Sequence, residues 1–119
     1  MIIRGFIDQS PVIPRTIDKF HDFIYVDDAT SALVAIAKAP LATGIFNIGS
    51  GKLTNVGSIY NQIHSLMEQD ISSKVDINVM VNDGNNVPAD ISKTLSSLHW
   101  RPRYDMNSAL SRTLQKFSI

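Results

Sequence analysis

His21-Asp22-Phe23-Ile24-Tyr25-Val26-Asp27-Asp28-Ala29 and Gly44-Ile45-Phe46-Asn47-Ile48-Gly49-Ser50-Gly51 decide the fold class of this 119-residue chain. The run Asp22 to Val26 is aromatic and β-branched, which predicts a short strand. Asp27 and Asp28 end it. Either carboxylate can accept from free N–H groups at a helix start, and both favour the positive end of the helix dipole. The following helix is expected from about Ala29 to Ala39, with Ala32, Leu33, Ile36 and Ala37 at helical spacing and Pro40 stopping it. Gly44 opens a second apolar strand, Ile45 to Ile48, of the kind buried on both faces, and Gly49-Ser50-Gly51 closes it.

Outward from these stretches the pattern continues. Residues 1 to 20 read as a short apolar piece and then an irregular segment, because Pro11 and Pro14 remove backbone donors and fix φ. Thr54 or Asn55 can cap a helix running to about Gln69, with Val56, Ile59, Tyr60, Ile63, Leu66 and Met67 as its apolar stripe. Ile77, Val79 and Val81 alternate with polar neighbours as in a half-buried strand, and Asn82 to Asn86 is turn chemistry. Asp90 starts a short helix ending near His99; Asp105 or Asn107 starts the last, reaching about Phe117. Strands alternate with helices, so the fold class is α/β, an α+β-like unit of a few strands and about four helices in a single domain, 1–119.

Eleven basic residues balance eleven acidic ones, so no net field recruits nucleic acid or an anionic membrane. The absence of cysteine excludes a disulfide framework and thiolate metal sites. The longest apolar stretch, Ser31 to Ala42, is too short to span a bilayer and is interrupted by Lys38 and Pro40. The N-terminus lacks the basic-then-apolar order of a signal peptide. A cytoplasmic location is the default expectation.

Gly49-Ser50-Gly51-Lys52 looks like part of a phosphate loop. However, Phe46 stands where a Walker A motif needs glycine, and Leu53 where it needs a hydroxyl. A G-x-G-x-x-G dinucleotide fingerprint fails at Thr54. His21, His64 and His99 lack metal-ligand spacing; His64 reads as a solvent-facing or hydrogen-bonded helix residue. Asp27 and Asp28 diverge at a helix start, so capping is a better reading than paired acid–base work. Asp90 and Asp105 are also expected to cap. Phe23, Val26, Phe46, Ile48 and Trp100 are expected in the core. Tyr25 and Asn47 each carry a polar handle.

Three stretches together are more specific than any of these motifs. His21 to Ala29 with Ser31-Ala32-Leu33 resembles the R-D-F-[IV]-[HY]-V-x-D-x-x-x-A segment of extended short-chain dehydrogenases. Gly44 to Gly51 is similar to their g-x-x-[FY]-N-[IL]-G-[ST]-G strand and turn. Ala89-Asp90-Ile91-Ser92-Lys93 with Leu98-His99-Trp100-Arg101-Pro102 resembles their a-D-[IAT]-S-K-x-x-x-x-L-G-W-x-P segment. The resemblance covers roughly residues 20 to 117 and points to the C-terminal, substrate-binding region of the NAD-dependent epimerase/dehydratase family.

That resemblance implies a nucleotide-sugar enzyme whose N-terminal Rossmann domain holds NAD or NADP, serving cell-surface polysaccharide assembly. The family's Tyr-x-x-x-Lys pair is absent here: Tyr25, Tyr60 and Tyr104 are followed at that distance by Ala29, His64 and Ser108. No catalytic, cofactor-binding or metal-ligating residue is therefore assigned, and neither NAD nor NADP is expected to bind this chain alone. The family's diphosphate-clamping arginines are replaced by His21 and Asn82. His21, Tyr25, Asn47 and Asn82 are the expected substrate-binding residues. Exchanging arginine for neutral side chains replaces charge-assisted hydrogen bonds with ordinary ones about half as strong, so a nucleoside-diphosphate sugar is expected to bind weakly or not at all. His99, in place of the family's glycine, implies a modified helix ending. The alternative reading is a stand-alone, non-catalytic binding module, or a homo-oligomer assembled through an apolar face.

Overall fold

The structure, a computed structural model, describes residues 2–8, 13–67, 84 and 86–117. In chain order these form α1 (Ile2–Ile7), β1 (Phe20–His21), α2 (Val26–Ala37), β2 (Thr54–Asn55), α3 (Val56–Leu66), α4 (Ser92–Leu98) and α5 (Met106–Gln115). The α/β class holds, with five helices where about four were expected; the addition is α1, in the segment read as an apolar piece. β1 and β2 pair antiparallel, with Phe20 opposite Asn55 and His21 opposite Thr54. The expected strand at Ile77 to Val81 lies outside the described residues.

α3 follows its sequence signal closely. Asn55 caps it, its side chain accepting from Ser58 N at 3.2 Å, and Val56, Ile59, Tyr60 and Ile63 are buried. Phe6 of α1 packs on this stripe, its ring centroid 5.1 Å from that of Tyr60. Leu110 of α5 completes this first cluster. His64, one turn beyond Tyr60, is fully buried and meets Phe6 edge-on at 5.4 Å. The solvent-facing reading of His64 is thus corrected, because its spacing from Tyr60 places it on the inward face.

A second cluster joins α2 and α4: Ala32, Leu98 and Trp100 are buried, with Ile36, Phe46 and Ile48 packed against them. Trp100 Nε1 donates to Ser31 Oγ at 2.8 Å, satisfying the buried indole N–H. His99 ends α4 in the left-handed conformation, φ 50°, the ending that glycine usually provides; the expected modification of the helix ending is thus not seen in the backbone.

Four expectations fail for identifiable reasons. Among the described residues Asp22 to Val26 joins no ladder; the neighbouring 49–51 turn is held instead by the Asp22 carboxylate, which accepts from the N–H groups of Ser50 and Gly51. Among the described residues Ile45 to Ile48 joins no ladder either; the Ile45 carbonyl accepts from Lys93 Nζ and the Asn47 carbonyl from Thr94 Oγ1. Phe23 and Val26 are exposed rather than core: Ile24 takes the inward place beside Phe23, and Val26 opens α2 on its outer side. Finally, Asp27 and Asp28 do not cap α2. The helix starts earlier than expected, with Tyr25 at the cap position, so both carboxylates fall in its first turn.

Asp28 instead crosses the chain. It is 2% exposed and accepts from Arg103 N at 2.9 Å and Tyr104 N at 3.1 Å. Asp27 remains outside, 3.9 Å from Arg112. Asp105 caps α5, accepting from Ser108 N at 2.8 Å. Asp90 does its work two residues before α4 proper, accepting from Ser92 N and Ser92 Oγ; the helix begins at Ser92.

Candidate functional site

Between the two clusters lies an open cavity of about 810 Å³, within the range that holds small-molecule ligands. Phe23 and Tyr25, the segment Arg101 to Met106, Ser50, Lys52 and Thr54, and the inner side of α5 contribute to its wall. Its position follows from the two internal carboxylates. Asp22 fastens the 49–51 turn beside the 20–25 segment, and Asp28 fastens Arg103 and Tyr104 against the start of α2. Each joins stretches far apart in sequence.

Asp22 receives four hydrogen bonds: Ser50 N at 2.8 Å, Ser50 Oγ, Gly51 N at 3.0 Å and Ala89 N at 3.0 Å. Burial pushes its carboxyl up, but the Ser50 hydroxyl and the three amides together outweigh this and hold it below the ordinary carboxylate range. Gly49 must be glycine here, since a Cβ would lie 2.8 Å from both Ala89 Cβ and Asp22 Oδ2. The sequence contains one Gly-x-Gly, and its amides are spent on an internal carboxylate. This turn therefore does not fit a dinucleotide pyrophosphate, which needs the same N–H groups free.

Aromatic rings line one side of the cavity. His21 meets Phe23 edge-on at 5.8 Å, and Tyr25 meets Tyr104 at 4.8 Å. Arg112 lies over the Tyr104 ring at 5.1 Å. Its guanidinium is raised above its ordinary value, first by the Tyr25 phenol and then by Tyr104. The Tyr25 hydroxyl is buried and, although Arg112 neighbours it, makes no hydrogen bond of good geometry. Lys52, Arg101 and Arg103 supply positive charge to the same wall. Flat rings beside several cations suit a ligand carrying both an aromatic base and phosphate.

Of the four residues expected to bind substrate, Tyr25 lines this cavity and His21 adjoins it through Phe23. Asn47 is placed elsewhere: its side-chain amide donates to the Asp90 carbonyl at 3.1 Å, bracing the 45–48 segment against the approach to α4. Asn82 lies outside the described residues. Sequence reading passed over Lys52, Arg101, Arg103 and Tyr104. The interleaved cations and ring of Arg101-Pro102-Arg103-Tyr104 were a visible signal, but nothing local tied them to Phe23 and Tyr25. A second opening, of about 550 Å³, lies between the loop after α2, Phe46 and Lys93. Among the described residues, no three His, Asp or Glu side chains are grouped to hold a metal, and no helix is long and apolar enough to cross a membrane.

The described elements form a small α/β unit of five helices and one antiparallel strand pair. The chain superposes on the Bordetella bronchiseptica enzyme WbmF in complex with NAD+ and UDP with a TM-score of 0.78 at 19% identity, covering 96% of this chain and 33% of that one. It superposes on the Bacillus anthracis dTDP-glucose 4,6-dehydratase in complex with NAD with a TM-score of 0.75 at 18% identity, covering 98% and 37%. In sequence it is 29% identical over 93 residues to the dTDP-L-rhamnose 4-epimerase of Burkholderia thailandensis, covering 76% of this chain. No family model matches the chain. It resembles part of the NAD-dependent nucleotide-sugar epimerases and dehydratases. It spans a quarter of the curated relative's length, 25%, and about a third of the solved ones.

Proposed function

We propose that this chain supplies the nucleoside-diphosphate-sugar side of an NAD-dependent epimerase or dehydratase site and has no turnover by itself. The observation that carries this reading is the fold shared almost end to end with a third of an enzyme held with NAD+ and UDP. The sequence likeness to a dTDP-sugar epimerase supports the same class of ligand. The base is proposed to lie against the row His21, Phe23, Tyr25 and Tyr104, with the diphosphate towards Lys52, Arg101 and Arg103. Asn82, in place of a family arginine, is proposed at the same diphosphate, and Asn47 near the sugar through the segment it braces. Hydride transfer requires a dinucleotide held elsewhere, because the Gly49–Gly51 turn is closed on Asp22 and no Tyr-x-x-x-Lys pair occurs in the sequence.

Calorimetry with UDP, dTDP and their hexose derivatives tests the reading. Binding in the high micromolar to millimolar range is expected, about −4 to −6 kcal/mol, since only one side of the site is present. No heat with any of these ligands contradicts it. Measurable NAD reduction by the isolated chain contradicts the second half of the proposal.

A further inference from the structure

Arg112 and Lys116, the C-cap of α5, stand one turn apart and so share a face of that helix. Arg112 lies over the Tyr104 ring at 5.1 Å and Lys116 over the Tyr25 ring at 5.8 Å. The two rings meet at 4.8 Å, tilted by 62°. Both rings line the cavity, whereas neither cation does, so the cations brace the pair from outside the wall. Tyr25 is 9% exposed, and its hydroxyl is buried without a hydrogen bond of good geometry. It lies against Arg112 and is the first cause of that group's raised pKa. Asp27, 3.9 Å away, answers part of the guanidinium charge. An arginine so placed is poorly set to take a ligand's phosphate and well set to hold two rings.

We propose that Arg112, backed by Lys116, is a positioning residue: it fixes the Tyr25–Tyr104 pair as a preformed platform for the ligand's base and does not itself touch the ligand. This rests on the function proposed above. The physical reason is entropic. A ring that becomes ordered only on binding loses freedom at that moment, and the loss is subtracted from the contact it makes. A cation over each ring removes that freedom beforehand without filling the cavity. The brace has a fixed base, because Asp105 caps α5 and Leu110 is buried in the first cluster. Tyr104 is also held at its backbone, where its N–H donates to Asp28. Recognition of the base therefore depends on a residue outside the wall, and recognition of the diphosphate does not.

Titration of the chain with UDP and with inorganic pyrophosphate, followed by calorimetry and NMR, separates the two. Arg112→Ala is expected to weaken UDP by about three- to tenfold and to leave pyrophosphate within about twofold. Arg112→Gln, which removes the charge but keeps a polar side chain, should lose as much. Arg112→Lys, which keeps a cation, should stay close to the wild type. The Overhauser contact between the Tyr25 and Tyr104 rings should weaken in the first two variants and persist in the third. Equal losses for UDP and pyrophosphate overturn the proposal, in favour of direct phosphate contact or a general loss of fold. Unchanged UDP affinity in Arg112→Ala and Arg112→Gln overturns it too, while the function reading stands. No UDP binding by the wild-type chain overturns both.

Discussion

Asp22 accepts from the backbone N–H of Ser50, 28 residues away, at 2.8 Å, and from the same residue's hydroxyl. One carboxylate thereby closes the glycine turn that otherwise offers its amides to a phosphate. Asp22→Asn keeps an acceptor but sets amide hydrogens against N–H groups, and is expected to cost about 2 kcal/mol in urea unfolding at neutral pH.

The same carboxylate gives a pH dependence of known sign. Its pKa is lower folded than unfolded, so its contribution is complete above the unfolded value, about 4, and is lost as pH falls through the folded value. Thermal unfolding from pH 6 to pH 2.5 should show stability dropping below about pH 4, with a smaller drop in Asp22→Asn. Identical profiles would mean that Asp22 does not set the acid limb.

Asp27 and Asp28 are neighbours with opposite fates. Asp28→Ala leaves two N–H groups, those of Arg103 and Tyr104, without their acceptor, and is expected to cost about 2–3 kcal/mol. Asp27→Ala removes an exposed pair at 3.9 Å and should cost under about 0.5 kcal/mol. Equal losses in denaturant titration would refute the assigned roles.

His99 occupies the left-handed region at φ 50°, which a side chain adopts at a cost. His99→Gly should raise stability by up to about 1 kcal/mol, the relief being partly offset by the greater freedom of glycine in the unfolded chain. A lower melting temperature would show that the imidazole makes a stabilising contact.

These positions also show what the sequence disclosed. The caps Asn55 and Asp105, each one of two candidates, the α3 stripe and the place where α4 ends were legible because each is a local matter of spacing, polarity or backbone sterics. Two of the three expected strands, Asp22 to Val26 and Ile45 to Ile48, were not. Their β-branched and aromatic composition is real, but a strand exists only with a neighbour to pair with, and among the described residues neither segment has one; the Ile45 and Asn47 carbonyls accept from Lys93 and Thr94 side chains instead. The cavity was half legible. Tyr25 and His21 were singled out, whereas Arg101, Arg103 and Tyr104 reach it through the Asp28 tether, a contact across 75 residues that no local pattern reveals. Asn47 was chosen for its polar handle, which the structure spends on the Asp90 carbonyl.

The most direct test of the central claim is a nitrogen–proton correlation spectrum of the chain titrated with UDP. Shifts are expected to concentrate at His21, Phe23, Tyr25, Lys52 and Arg101 to Tyr104, saturating at millimolar ligand or below, while α1 stays unchanged. Shifts absent throughout, or confined to residues away from this wall, would contradict the account.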